Sequence, residues 1–281
     1  MDKILLISGC SYSDVQWTSH LHPDMDCSWP KWPELLAKKL DMKCINLSKS
    51  GAGQEYIYSS LVDTVQTLNI NDIGLVIPAW STAPRRDFID VQFPSNYKST
   101  FCKSHWNNDR NDLRGGIEYW IDRSIRYYYA FQNICENLGV TYRQVQMINL
   151  YKGWLWEQIR NKRQKSLVPQ NDPTFMHQYS DLNSNRLLTK EELEWKSENK
   201  KRLTKQIHNN LYYNKINNNF IGWPMIDKLD GFDVKETVVT EQYKISKTEP
   251  HPNAKGQERI AQFIFDRLGY SKGLNKIGVY I

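Results

Sequence analysis

The chain has 281 residues, of which 40% are hydrophobic and 24% charged, and its net charge is +6. That balance fits a globular protein of one large domain, or one domain with an insertion, and excludes a mostly disordered chain. No apolar run approaches the ~20 residues that cross a bilayer, and so modest a positive charge compels no polyanionic partner.

Residues 3–8 form a short continuous apolar run, the pattern of a strand buried on both faces in a parallel sheet. The run lacks the basic leader and small-residue cleavage site of a signal peptide, so the expected location is cytoplasmic. Residues 14–29 read as a loop. Residues 30–40 predict a helix with prolines at its entry, where a missing N–H costs little. A second strand is expected over 42–47, a small-residue turn over 48–53, a helix over 55–68 and a third buried strand over 73–79. Residues 85–116, with Pro, Asn, Asp and Lys, read as a long excursion. Ile117, Trp120, Ile121, Ile125, Tyr128, Phe131 and Ile134 recur at three- and four-residue steps, predicting a helix over 117–138 that Gly139 ends. A fourth strand is expected over 140–148. Residues 151–219 turn rich in Lys, Asn and Gln with a helical pattern, and are expected as an inserted helical cap. Residues 1–150 and 220–281 then make the core, closed by a helix over 252–268 with Ile260, Phe263, Ile264 and Leu268 on one face.

Strands alternating with helices predict an α/β fold built on a parallel sheet. Such sheets bind ligands at the carboxyl ends of their strands, which puts Ser11, Gly51 and Ser81 on one rim.

Two short motifs carry chemistry. Gly9-Cys10-Ser11-Tyr12-Ser13 follows the first strand. A tight turn there exposes a serine oxygen and aims the serine's own N–H at a developing oxyanion. Far downstream, His251 stands between Pro250 and Pro252, a rigid setting suited to a general base. Glu249, two residues earlier, is placed to hold the imidazole tautomer. Taken singly, the first motif also reads as an ordinary Ser/Gly turn and the histidine as a surface loop residue.

Together the two motifs resemble the SGNH (GDSL-like) hydrolases. Ser11 matches the nucleophile of the first sequence block, with Gly-Cys-Ser in place of Gly-Asp-Ser. Asn46-Leu-Ser-Lys-Ser-Gly51 resembles the second block, whose glycine N–H joins the oxyanion hole, and His251 in His-Pro-Asn-x-x-Gly resembles the last. The resemblance covers residues 1–150 and 220–270 and implies a three-layer α/β/α sandwich. It also implies a serine esterase that needs no cofactor and no metal. Its site is Ser11, His251 and Glu249, with an oxyanion hole from Ser11, Gly51 and Ser81. The sequence departs from the family twice. The third block has no asparagine: Pro78-Ala-Trp-Ser-Thr82 stands there with Arg85 and Arg86 close behind, as in some divergent members, so Ser81 is the candidate donor. The acid is Glu249 where the family has Asp, with Asp230 and Asp233 as alternatives.

The implied substrate is a small-molecule or glycan ester, with O-acetyl groups on carbohydrate as one class. Trp154, Trp156 and Trp195 offer stacking faces to a glycan. Lys/Asn-rich composition and the Trp-Ser pair are similar to bacteriophage-encoded members, which adds a homo-oligomer or virion assembly as an expected partner. The rival reading is a catalytically weak scaffold that binds carbohydrate or serves as a virion structural protein. His20-Leu-His22 imitates a metal-hydrolase motif, but no strand precedes it and Pro23 constrains it, so it reads as loop. The basic stretches 160–165 and 200–205 read as solvated helix faces; neither nucleic acid nor membrane is an expected partner.

Overall fold

The computed structural model describes residues 3–85, 87, 116–167 and 187–269. Strands β1 (Ile4–Ser8), β2 (Lys43–Asn46), β3 (Ile73–Trp80), β4 (Gln144–Gln146) and β5 (Phe220–Ile221) form one parallel sheet in the order β2-β1-β3-β4-β5. The helices are α1 (Trp32–Leu40), α2 (Gln54–Thr67), α3 (Ile117–Leu138), α4 (Lys152–Leu167), α5 (Lys190–His208), α6 (Val234–Val238) and α7 (Ala254–Arg267).

The apolar run of β1 is continuous because both of its faces are covered. Alternate side chains point to opposite sides of a strand. Leu5 and Ile7 therefore meet Trp32 and Leu36 of α1 and Ile260 and Ile264 of α7. Leu6 meets the other layer, where Ile57 and Leu61 of α2 and Ile121, Ile125 and Phe131 of α3 are buried. Burial of each such side chain contributes about 1.5–3 kcal/mol, and the result is the expected three-layer α/β/α sandwich. Ile7 pairs with Asn46 on one side and Ile77 on the other, so β1, β2 and β3 end close together and their following loops share one rim.

Strand β4 is shorter than the expected 140–148. Its ladder with β3 stops where the Met147 and Ile148 N–H groups both turn to Trp80 O, at 2.9 and 3.4 Å. Gln144 and Gln146 are nonetheless fully buried. Trp80 Nε1 donates to Gln144 Oε1 (2.9 Å) and Tyr128 OH to Gln146 Oε1 (2.9 Å), which satisfies both amides. β5 was not expected, because two residues are too few to leave a periodic signal.

Helices α4 and α5 lie on the segment expected as a cap. Leu155, Leu203 and Ile207 are buried in the same cluster as α2 and α3, so this segment shares the sheet's core. Arg163 on α4 holds Glu192 on α5, with Nε 2.6 Å from Oε1. Most of the excursion over 85–116, including Arg86, lies outside the described residues, as do residues 168–186 of the helical segment. Among the described residues no helix is long and apolar enough to cross a membrane.

Candidate active site

The turn after β1 is closed by the Ser13 N–H on Cys10 O at 2.8 Å. Gly9 permits it: a Cβ there would stand 2.8 Å from Ser13 Oγ and 3.0 Å from Ala79 Cβ. Trp32 Nε1 donates to Ser13 Oγ (2.9 Å) and Asn46 Nδ2 to Ser13 O (2.8 Å), pinning the turn to α1 and to the end of β2. Gln257 on α7 reaches the same place, donating to Tyr12 O at 3.2 Å and accepting the Trp32 N–H at 2.9 Å.

The His251 loop is built equally tightly. The Ile245 N–H donates to His251 O at 2.9 Å, and Asn253 Oδ1 accepts the Gly256 N–H at 2.9 Å to cap α7. Asn253 Nδ2 also donates to Lys244 O at 2.9 Å. A Cβ on Gly256 would sit 2.3 Å from Tyr243 O, so the helix start lies directly against that backbone. The His-Pro-Asn-x-x-Gly pattern is therefore a cap and a close approach that together fix where His251 points.

Between these loops the side chains form a row. Ser11 Oγ lies 2.8 Å from His251 Nε2, and His251 Nδ1 lies 2.5 Å from Glu249 Oε1. With the Nδ1–H donating to the carboxylate, Nε2 is left to accept from Ser11. Burial lowers the His251 pKa below 6.5; the hydrogen bond and charge of Glu249 oppose this, and the Arg85 and Lys235 charges add to the lowering. Burial raises Glu249, but His251 and the Ser19 hydroxyl outweigh it and hold the carboxyl below its ordinary value. Both shifts favour a neutral imidazole beside a carboxylate at neutral pH.

Asp230 and Asp233 lie elsewhere. Asp233 caps α6, accepting the Glu236 N–H at 2.9 Å and Asn149 Nδ2 at 3.1 Å, and burial pushes its pKa up to about 6. Asp230 is exposed, at the left-handed residue after a short 3-10 turn. The carboxylate on His251 is Glu249.

Gly51 takes the left-handed φ of 82° in the loop after β2 that the Ala52 N–H closes on Lys49 O (3.0 Å). Asp14 ties this loop to the Ser11 turn, which sequence inspection missed: its Oδ2 accepts the Ser50 N–H (2.7 Å) and hydroxyl (2.6 Å). Ser81 is fully buried at the end of β3. Gln54 Nε2 and Gln146 Nε2 each donate to Ser81 O at 2.6 Å, and Arg85 Nη1 donates to Ser81 Oγ at 2.8 Å.

The His20–His22 motif makes other contacts. His22 Nε2 lies 3.1 Å from Ser246 Oγ, in the loop that carries Glu249. Among the described residues no group of three or more His, Cys, Asp or Glu side chains is arranged to hold a metal.

No family model and no curated protein matches the chain. Solved structures align with it over nearly its full length. The psychrotrophic esterase EstA from Pseudoalteromonas sp., in a structure inhibited by monoethylphosphonate, aligns at 12% identity over 95% of this chain and 97% of that one, with a TM-score of 0.41. A protein of the G-D-S-L lipolytic family from Desulfitobacterium hafniense aligns at 12% identity over 95% and 99%, with a TM-score of 0.42. At these scores neither alignment carries a function to this chain.

Proposed function

We propose that the protein is a serine hydrolase of carboxylic esters, with Ser11 as nucleophile, His251 as base and Glu249 as the orienting acid. The observation that carries this reading is the row Ser11 Oγ–His251 Nε2 at 2.8 Å and His251 Nδ1–Glu249 Oε1 at 2.5 Å, on two loops 240 residues apart.

Ser11 Oγ attacks the acyl carbon while its proton passes to His251 Nε2, and the carbonyl electron pair moves onto oxygen. The Ser11 and Gly51 N–H groups and the Ser81 hydroxyl receive that oxyanion. Collapse breaks the bond to the alcohol, which takes the proton from His251; water, deprotonated by the same imidazole, then attacks the acyl carbon, and the bond to Ser11 Oγ breaks as His251 returns the proton to it, freeing the acid. A positioned base is worth about 10²–10⁴ in rate and each oxyanion donor about 10²–10³. The lowered His251 pKa supports the role, since the imidazole is unprotonated at neutral pH. The positive charge of Arg85, bonded to Ser81, favours negative charge on the substrate oxygen.

Specificity is assigned to the helical segment 151–219, because among the described residues the hydrogen-bond partners of Ser11, His251 and Glu249 come from residues 11–22 and 245–251 instead. O-acetyl esters of carbohydrates are the substrate class to try beside simple short-chain esters. The test is hydrolysis of p-nitrophenyl acetate by the wild type and Ser11→Ala. Turnover that vanishes in the variant supports the reading; equal turnover in both overturns it.

A further inference from the structure

The chain leaving the Ser11 turn does not depart from the site. It runs back across the His251 loop as a strap, and three of its residues touch that loop. Trp17, itself buried, stacks on the His251 ring with centroids 4.3 Å apart and planes 29° apart. Ser19, also buried, donates its hydroxyl to Glu249 Oε2 at 3.1 Å. The Ser19 oxygen in turn accepts the His22 N–H at 3.0 Å, which directs its hydrogen toward the carboxylate. His22 closes the strap onto Ser246, whose hydroxyl oxygen accepts the Glu249 N–H at 3.0 Å.

The two carboxylate oxygens of Glu249 are thus divided. Oε1 meets the imidazole and Oε2 meets the strap. A glutamate has one more rotatable bond than an aspartate, so anchoring through Oε1 alone, which accepts from His251 Nδ1 at 2.5 Å and from the His251 N–H at 3.4 Å, leaves its carboxylate more ways to turn. A second anchor on the far oxygen removes that freedom.

We propose that residues 17–22 are the positioning element of the His251–Glu249 pair: Ser19 fixes the Glu249 carboxylate and Trp17 fixes the imidazole plane. Neither is hydrogen-bonded to Ser11 Oγ or His251 Nε2, which bond each other. The inference rests on the esterase reading, and it explains how a glutamate serves where the resembled family has an aspartate.

The experiment is steady-state ester hydrolysis and fluorophosphonate labelling with the full chain. Ser19→Ala is expected to lower kcat about 10- to 100-fold, the scale of a slightly misplaced catalytic group, with KM unchanged. Ser19→Thr, which keeps the hydroxyl, is expected to restore most of the rate. Because Ser19 acts through Glu249, the double variant Ser19→Ala/Glu249→Gln is expected to match Glu249→Gln alone. A kcat for Ser19→Ala equal to that of wild type, or losses that multiply in the double variant, would overturn the assignment. Trp17 gives an independent arm should Ser19→Ala not fold. Trp17→Leu is expected to lower kcat at constant KM and Trp17→Phe to recover it; an unchanged kcat, or a change confined to KM, contradicts a positioning role. Wild-type protein that fails to label removes the esterase reading itself. Wild-type protein that labels, beside a Ser19→Ala protein that labels equally fast, removes only the strap.

Discussion

Arg85 Nη1 donates to Ser81 Oγ at 2.8 Å, so one acceptor position of that hydroxyl is filled by a cation. A serine hydroxyl has a single hydrogen, and with the guanidinium on its oxygen that hydrogen must point away from Arg85. In the proposed mechanism that hydrogen, at the end of β3, is the oxyanion donor in place of the asparagine of the resembled family. Ser81→Ala is expected to reduce kcat about 10²–10³-fold with little change in KM, measured by steady-state ester hydrolysis.

The acid makes a second prediction. Glu249→Gln keeps the shape of the side chain but supports the wrong imidazole tautomer, and is expected to lower kcat about 10⁴-fold, as the analogous change does in a serine-protease triad. Asp230→Asn and Asp233→Asn are expected to leave turnover unchanged. Asp233 has its own signature in stability. Its folded pKa of about 6 stands above the unfolded value of 3.8, so the fold disfavours its charged form. Wild-type stability should therefore fall relative to Asp233→Asn as pH rises between those two values, read from thermal melting across that window.

The pH profile follows from His251. In the proposed mechanism the neutral imidazole is the base, and burial, aided by the Arg85 and Lys235 charges and opposed by Glu249, puts its folded pKa below 6.5. Ser11 reactivity should rise with pH, reach half its maximum below pH 6.5 and be flat through neutrality. Glu249→Gln removes the carboxylate charge that raises the pKa, so its midpoint should move lower still. The same depressed pKa makes protonation of His251 unfavourable in the folded state, and its contribution to stability is lost as pH falls below the unfolded value of 6.5.

The capped start of α7 links stability to catalysis. Asn253→Ala removes the bond to the Gly256 N–H and the bond to Lys244 O. Loss of such a cap costs about 0.5–2 kcal/mol. A lower melting temperature together with a lower kcat is expected, because the same side chain holds the loop that carries His251.

Much of this was legible in the sequence because the signals are local. β1 and β3 leave continuous apolar runs since both their faces are covered, and α3 shows its buried face at three- and four-residue steps. Ser11, His251 and Glu249 stand out because a glycine turn and a pair of prolines mark them in place. What stayed hidden is held by contacts between distant segments. Ser19 is an ordinary loop serine until Glu249, 230 positions away, folds onto it. Asp14 shows no sign of its bond to Ser50. Gln54 and Gln146 read as polar interruptions, yet buried together they hold the backbone of Ser81. β4 was overestimated because its flanks are apolar, while the ladder ends where Met147 and Ile148 turn to one carbonyl.

Fluorophosphonate labelling followed by mass spectrometry of the digested protein tests the central claim most directly, since it reports an activated serine whatever the natural ester. The expected result is one phosphonyl adduct, on the peptide containing Ser11. It should be absent from Ser11→Ala and strongly slowed in His251→Ala. No adduct, an adduct on another residue, or labelling that proceeds unchanged without His251 would contradict the account.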